Sequence, residues 1–135
     1  MDIKTWINYL GKISLNDIPI KDKIPELDVA IHAAKEAAEE ILKIYGKNFE
    51  TATKIDDSPI TEADLKSNEI IKNILSKTNY SILSEEDKDD EGRLSKELVW
   101  IVDPLDGTSD FIDKTGEFTI MISLVKNKEP ILGVI

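Results

Sequence analysis

Apolar residues recur every three or four positions from Glu26 to Tyr45: Leu27, Ala30, Ile31, Ala34, Ala38, Ile41 and Tyr45. That period predicts an amphipathic helix, favoured by its alanines and stopped by Gly46. A second helix is predicted from Thr61 through Ile70, Ile71, Ile74 and Leu75. Its opening, Thr61-Glu62-Ala63-Asp64, fits a capping box with aspartate in place of the usual glutamate, and Ile60 and Leu65 flank it as a hydrophobic staple. The polar stretch 47–60, ending in Asp56-Asp57-Ser58-Pro59, reads as a loop. Near the start, Trp6, Ile7, Leu10 and Ile13 have the spacing of a short amphipathic helix, and Asn16 to Lys23, with Pro19, reads as a connector.

After the second helix the period changes. Short strands are predicted at Tyr80 to Leu83 and Leu98 to Val102, separated by the charged loop Asp87 to Lys96. Glu117 to Val125 alternates, with Phe118, Ile120, Ile122 and Leu124 on one face and Thr119 and Ser123 on the other. Asn127-Lys128-Glu129-Pro130 reads as a hairpin turn into a last strand, Ile131 to Ile135. With a short helix after Thr108, the order predicts an α+β fold: two main helices packed on a mostly antiparallel sheet. Residues 1–24 are expected to be an N-terminal extension and 25–135 one α+β domain. The last strand meets the end of the sequence with no cap or polar tail, so the chain is expected to be one half of a larger protein.

Composition narrows the chemistry. The net charge of −10 argues against nucleic acid or an anionic membrane surface as partner. It leaves room for a small phosphorylated substrate, since a bound divalent cation reverses the local field. With no cysteine, disulfides and thiolate metal sites are excluded, and one histidine, His32, makes a histidine zinc site unsuitable. His32 is expected to be an ordinary surface or boundary residue. No signal-peptide core and no apolar run near ~20 residues is present, so a cytoplasmic protein is expected.

The acids carry the candidate chemistry. Asp103 and Asp106, in Asp103-Pro104-Leu105-Asp106-Gly107-Thr108, stand at the end of an apolar strand, and Glu85-Glu86 end a neighbouring one. Asp-Pro and Asp-Gly are common turn dipeptides, so a plain turn is one reading. The other is a metal site, because carboxylates brought together repel unless a cation or proton intervenes. Backbone N–H groups after Asp106 would hold an anion beside it. Glu85 and Glu86 also fit a solvated loop. Asp87, Asp89, Glu91 and Gly92 resemble the start of a calcium loop, but Leu98 stands where a bidentate glutamate is required, so that match fails. Asp64 reads as a cap at a helix N-terminus, which would hold it rigidly and ionised.

Taken in order, Asp64 within Ser58-Pro59-Ile60-Thr61-Glu62-Ala63-Asp64, then Glu85-Glu86, then Asp103 to Thr108 resemble the motifs of the lithium-sensitive, magnesium-dependent phosphatases. That family includes inositol monophosphatase, fructose-1,6-bisphosphatase and 3′(2′),5′-bisphosphate nucleotidase. Leu105 and Gly116-Glu117-Phe118-Thr119 look most like the nucleotidase branch. The resemblance implies the N-terminal half of a sugar-phosphatase αβαβα sandwich, with Mg2+ as cofactor. It implies that Glu85, Asp103 and the Leu105 carbonyl hold one magnesium, and that Asp103 and Asp106 hold a second. Asp64, Thr108 and Glu85 would be catalytic, with Asp64 and Thr108 orienting the attacking water. The Gly107 and Thr108 N–H groups would bind substrate phosphate, which Glu85, Leu105 and Asp106 would also adjoin. Glu86 would stand behind Glu85.

A distal Trp-Asp motif of the family lies outside this sequence, so the site is expected to be incomplete and this chain alone to turn over slowly or not at all. The implied activity is hydrolysis of the 3′-phosphate of 3′-phosphoadenosine 5′-phosphate or a related small phosphate. Inositol-1-phosphate or fructose-1,6-bisphosphate hydrolysis is the alternative within the family. A non-catalytic domain that binds metal or a partner, including a second copy through an open strand edge, is the alternative outside it.

Overall fold

The computed structural model describes residues 24–55, 57–88 and 91–135. The expected helix at Trp6 to Ile13 and the connector after it lie outside these residues, as do Asp56, Asp89 and Asp90. Helix α1 spans Pro25–Tyr45 and buries Ala30, Ala33, Ala37, Ile41 and Ile44. Pro25 suits the first helical position, where no N–H partner is needed. Gly46 does end α1, but in a right-handed conformation, so its glycine-specific freedom is not used there. The predicted 47–60 loop is corrected: it contains a small antiparallel hairpin, β1 Thr51–Thr53 with β2 Pro59–Thr61. Its strands are three residues each and β1 is fully exposed, so they carry no alternating apolar signal.

Helix α2, Glu62–Leu75, opens with the predicted capping box. The Thr61 hydroxyl accepts from the Ala63 N–H at 3.1 Å, and Asp64 accepts from the Thr61 N–H at 2.8 Å. The expected staple does not form a buried contact, since Leu65 is 55 % exposed. Four strands follow: β3 Ser81–Ser84, β4 Leu98–Asp106, β5 Thr119–Lys126 and β6 Glu129–Val134. Helix α3, Thr108–Asp113, separates β4 from β5. The sheet order is β3-β4-β5-β6, with β3 parallel to β4 and the other pairs antiparallel. This is the α+β architecture that the sequence predicted.

Strand β4 runs further than its apolar segment. Asp103 pairs with Met121 and Asp106 with Thr119, and the register shifts between them. Pro104 cannot donate to a ladder, and the bulge absorbs it. The chain therefore carries both aspartates past the apolar core without leaving the sheet. One face of the sheet, with Trp100, Val102, Ile120, Ile122 and Leu124, packs under α1 and α2. The Trp100 indole N–H donates to the Thr78 hydroxyl at 3.0 Å, so the largest buried ring is polar-satisfied. The opposite face keeps Ile101 at 42 % exposure. A cavity of about 590 Å³ opens there, with Leu83, Ile101 and Met121 in its walls and Glu85 and Asp103 at its polar end.

Candidate metal centre

The predicted site residues come from three segments: the start of α2 with Asp64, the end of β3 with Glu85, and the passage from β4 into α3 with Asp103, Leu105, Asp106, Gly107 and Thr108. Asp64 sits at the third position of α2 and is fully buried. Its two oxygens are divided: one accepts from the Thr61 N–H and hydroxyl, the other from the Thr108 hydroxyl at 2.9 Å. Thr108 is the first residue of α3, and its hydroxyl also lies 3.2 Å from the Leu105 carbonyl. The carbonyl of Leu105 is therefore turned toward the same site as Asp64 and Thr108. Gly107, between the acids and α3, has φ +87. A Cβ there would lie 2.7 Å from the Glu117 carbonyl and 3.2 Å from the Phe118 Cα, so only glycine allows the turn to pack this closely.

Glu85 follows β3 directly, and its N–H donates to the Val102 carbonyl at 3.1 Å. That bond continues the parallel ladder by one residue and brings Glu85 beside Asp103. The result is a crowd of negative charge. Burial, then the charge and hydrogen bond of Glu85, then the charge of Asp106 raise the Asp103 carboxyl to about 7, although the Leu105 N–H, 3.1 Å away, favours its ionised form. Asp106 itself lies on the exposed side of the bulge.

Two further residues belong to the site and carry no sequence signal. Lys54, after β1, places its ammonium 3.1 Å from Glu85 and 2.9 Å from Glu86. Burial works against the Lys54 charge, yet its bonds to Glu86 and Glu85 outweigh that and its pKa stands above the ordinary lysine value. Glu86 is the opposite case. Its side chain is only 2 % exposed, and burial raises its pKa despite the lysine, with the charges of Asp64 and Glu85 adding to the rise. Pairing wins on the partly open lysine and desolvation wins on the enclosed acid. Asn68 is the second, on α2 beneath the glutamates, with its side chain bonded to Ser84 and Asp87. Both residues lie far in sequence from what they touch.

The donor set suits a hard cation. It consists of the carboxylates Glu85, Asp103 and Asp106 with the Leu105 carbonyl, and no nitrogen or sulfur donor stands among them. The upward shift of Asp103 is the observation that supports the fit: these acids repel, and a proton or a cation relieves them. Among the described residues, no three acids converge closely enough to enclose an ion on their own. The set is thus an open one, and a hard cation held there would need further oxygens from water or a ligand. His32 is on the surface beside Glu36, as expected, and has no part in the site. No helix among the described residues is long and apolar enough to cross a membrane.

The profile of the Inositol monophosphatase family matches residues 22–135. The 3′(2′),5′-bisphosphate nucleotidase CysQ of Escherichia coli (strain K12) is 39 % identical over 114 residues, which is 81 % of this chain and 46 % of that protein. Among solved structures, CysQ from Bacteroides thetaiotaomicron, described as a bacterial member of the inositol monophosphatase family, matches with a TM-score of 0.70 and 45 % identity. That match covers 82 % of this chain and 41 % of the other. The extragenic suppressor protein suhB from Bartonella henselae matches with a TM-score of 0.75 and 30 % identity, over 82 % and 44 %. The chain spans about half the length of the curated relatives it matches.

Proposed function

Because this chain belongs to the inositol monophosphatase family, we propose that it is the metal- and phosphate-binding portion of a magnesium-dependent phosphomonoesterase. The substrate class is a small nucleoside bisphosphate, with 3′-phosphoadenosine 5′-phosphate as the compound to test. The likeness to the 3′(2′),5′-bisphosphate nucleotidase CysQ of Escherichia coli at 39 % identity, and to a second CysQ at 45 %, supports that choice over inositol or sugar phosphates. Residues 25–135 are the functional domain in this reading, and residues 1–24 an extension of it. The observation that carries the proposal is the placement of Glu85 against β4 beside Asp103, with Asp106 in the same strand and the Asp64–Thr108 bond at its end.

Mg2+ would be held by Glu85, Asp103, Asp106 and the Leu105 carbonyl, and when bound it supplies charge neutralisation at the phosphate and activation of water. The chain's own groups do the rest. Asp64 accepts the Thr108 hydroxyl proton, which leaves the Thr108 oxygen free to accept a hydrogen bond from a water. A water held that way would keep its lone pairs free for attack on phosphorus. The backbone N–H groups of Gly107 and Thr108, at the start of α3, would bind the phosphate oxygens. The Gly107 turn, directly after Asp106, packs that peptide against Glu117 and Phe118.

The test is a chimera in which residues 22–135 replace the matching half of Escherichia coli CysQ. A folded chimera is expected to release phosphate from 3′-phosphoadenosine 5′-phosphate with Mg2+, faster than from inositol 1-phosphate or fructose 1,6-bisphosphate. A chimera that melts cooperatively but releases phosphate from none of the three would overturn the reading.

A further inference from the structure

Helix α2 carries a buried polar stripe. Asp64, Ser67 and Asn68 are 0 %, 0 % and 8 % exposed, on a helix whose other buried positions are mostly aliphatic. Their spacing of three and four residues puts them on one face. Each reaches a different segment of the proposed site. Asp64 accepts from Thr108, and the Ser67 hydroxyl donates to the Pro104 carbonyl at 2.7 Å inside the β4 bulge. Asn68 uses both ends of its amide. Its Oδ1 accepts from the Ser84 hydroxyl at 2.8 Å and its Nδ2 donates to Asp87 at 3.1 Å.

Ser84 and Asp87 are the two ends of one tight turn. The Asp87 N–H donates to the Ser84 carbonyl at 3.2 Å, and the two central residues are Glu85 and Glu86. The Glu86 N–H also reaches the Ser84 hydroxyl at 3.4 Å. The Asn68 amide therefore braces the turn across its mouth. Burying an amide has a cost that only full hydrogen bonding offsets, and a leucine would fill a plain helix–sheet contact more cheaply.

We propose that Asn68 is a positioning residue, whose amide spans the Ser84–Asp87 turn and fixes where Glu85 presents its carboxylate to a divalent cation, with Glu86 held behind it against Lys54. This rests on the metal-site reading above. The sharpest perturbation is an exchange of partners. Asn68→Asp keeps the acceptor for Ser84 but removes the donor and sets two carboxylates face to face. Adding Asp87→Asn restores a donor–acceptor pair of opposite polarity in nearly the same volume; it also removes the carboxylate that Lys72 pairs with, a loss that Lys72→Met measures by itself.

Mg2+ affinity by calorimetry and amide hydrogen exchange at Glu85 and Glu86 are measured on the chain itself. Asn68→Asp is expected to weaken Mg2+ binding about tenfold, in line with the loss of a hydrogen-bonded support of a metal ligand. It is also expected to speed exchange at the Glu85 amide, which bonds the Val102 carbonyl. Asn68→Asp with Asp87→Asn should recover both, affinity to within about threefold of the starting value. If the exchange pair restores the melting temperature but neither readout, Asn68 is structural only and the proposal is overturned. Unchanged exchange in Asn68→Asp overturns it equally. Should the starting chain bind no Mg2+ while exchange follows the predicted loss and recovery, the bracing stands and the metal-site reading falls.

Discussion

Protonation of Asp103 should compete directly with magnesium. Burial and the neighbouring Glu85 raise its pKa to about 7 from an ordinary 3.8, so without a metal it holds a proton where the proposed cation would bind. At pH about 6 only about a tenth of the group is ionised, and at pH about 8 about nine tenths. A cation that needs the carboxylate should therefore bind about ninefold more tightly at the higher pH, a difference of about 1.3 kcal/mol. The assay is calorimetric titration of Mg2+ at both pH values, in two buffers with different ionisation heats. The buffer dependence of the measured heat counts protons, and close to one should leave per cation at the lower pH.

The same shift fixes the sign of the metal-free stability profile. A carboxyl raised in the fold holds its proton longer than in the unfolded chain, so the native state binds more protons between pH about 4 and about 7. Stability is therefore highest below that window and falls as pH rises through it. The full shift is worth about 4 kcal/mol, and solvent screening at this half-buried group reduces it to about 2 kcal/mol. Mg2+ should reverse the fall. An affinity that changes less than about twofold between the two pH values, with no buffer-dependent heat, would refute the coupling of Asp103 to the cation.

Other perturbations read separate parts of the structure. Lys54→Met leaves Glu86 enclosed and unpaired, and should cost about 3 kcal/mol at neutral pH; denaturant unfolding should show the loss shrinking as pH falls and Glu86 protonates, and a pH-independent loss would contradict the pairing. Gly107→Ala forces a Cβ to within 2.7 Å of the Glu117 carbonyl at positive φ, and should cost about 2 kcal/mol, read as a lower thermal midpoint. Thr61→Ala removes the cap from α2 and one of the bonds on Asp64, and should cost about 1 kcal/mol; a chemical-denaturation midpoint equal to that of the starting chain would show that the cap contributes nothing.

What the sequence revealed was local. The period of α1, the capping box at Thr61 and Asp64, and the alternation of Ile120, Ile122 and Leu124 each lie within one short window. The order of acids pointed to the three segments of the candidate site, because the acids follow apolar runs or open a helix, which composition marks. What stayed hidden depends on partners distant along the chain. Lys54 meets Glu85 across 31 positions, Ser67 meets Pro104 across 37, and Asn68 meets Ser84 across 16. Nothing in a window around Lys54 or Asn68 distinguishes it from a surface residue. The extension of β4 through Pro104 was hidden for a different reason: proline and the Asp-Gly pair favour a turn locally, and pairing with β5 overrides them through a bulge.

The account's central claim is that Glu85, Asp103 and Asp106 hold magnesium and that the Gly107–Thr108 turn binds phosphate beside it. Titration of inorganic phosphate into the chain, with and without Mg2+, tests it most directly. The account predicts phosphate binding only when Mg2+ is present, and its loss in Asp106→Asn at an unchanged melting temperature. Phosphate binding of equal strength without Mg2+, or undiminished in Asp106→Asn, would contradict it.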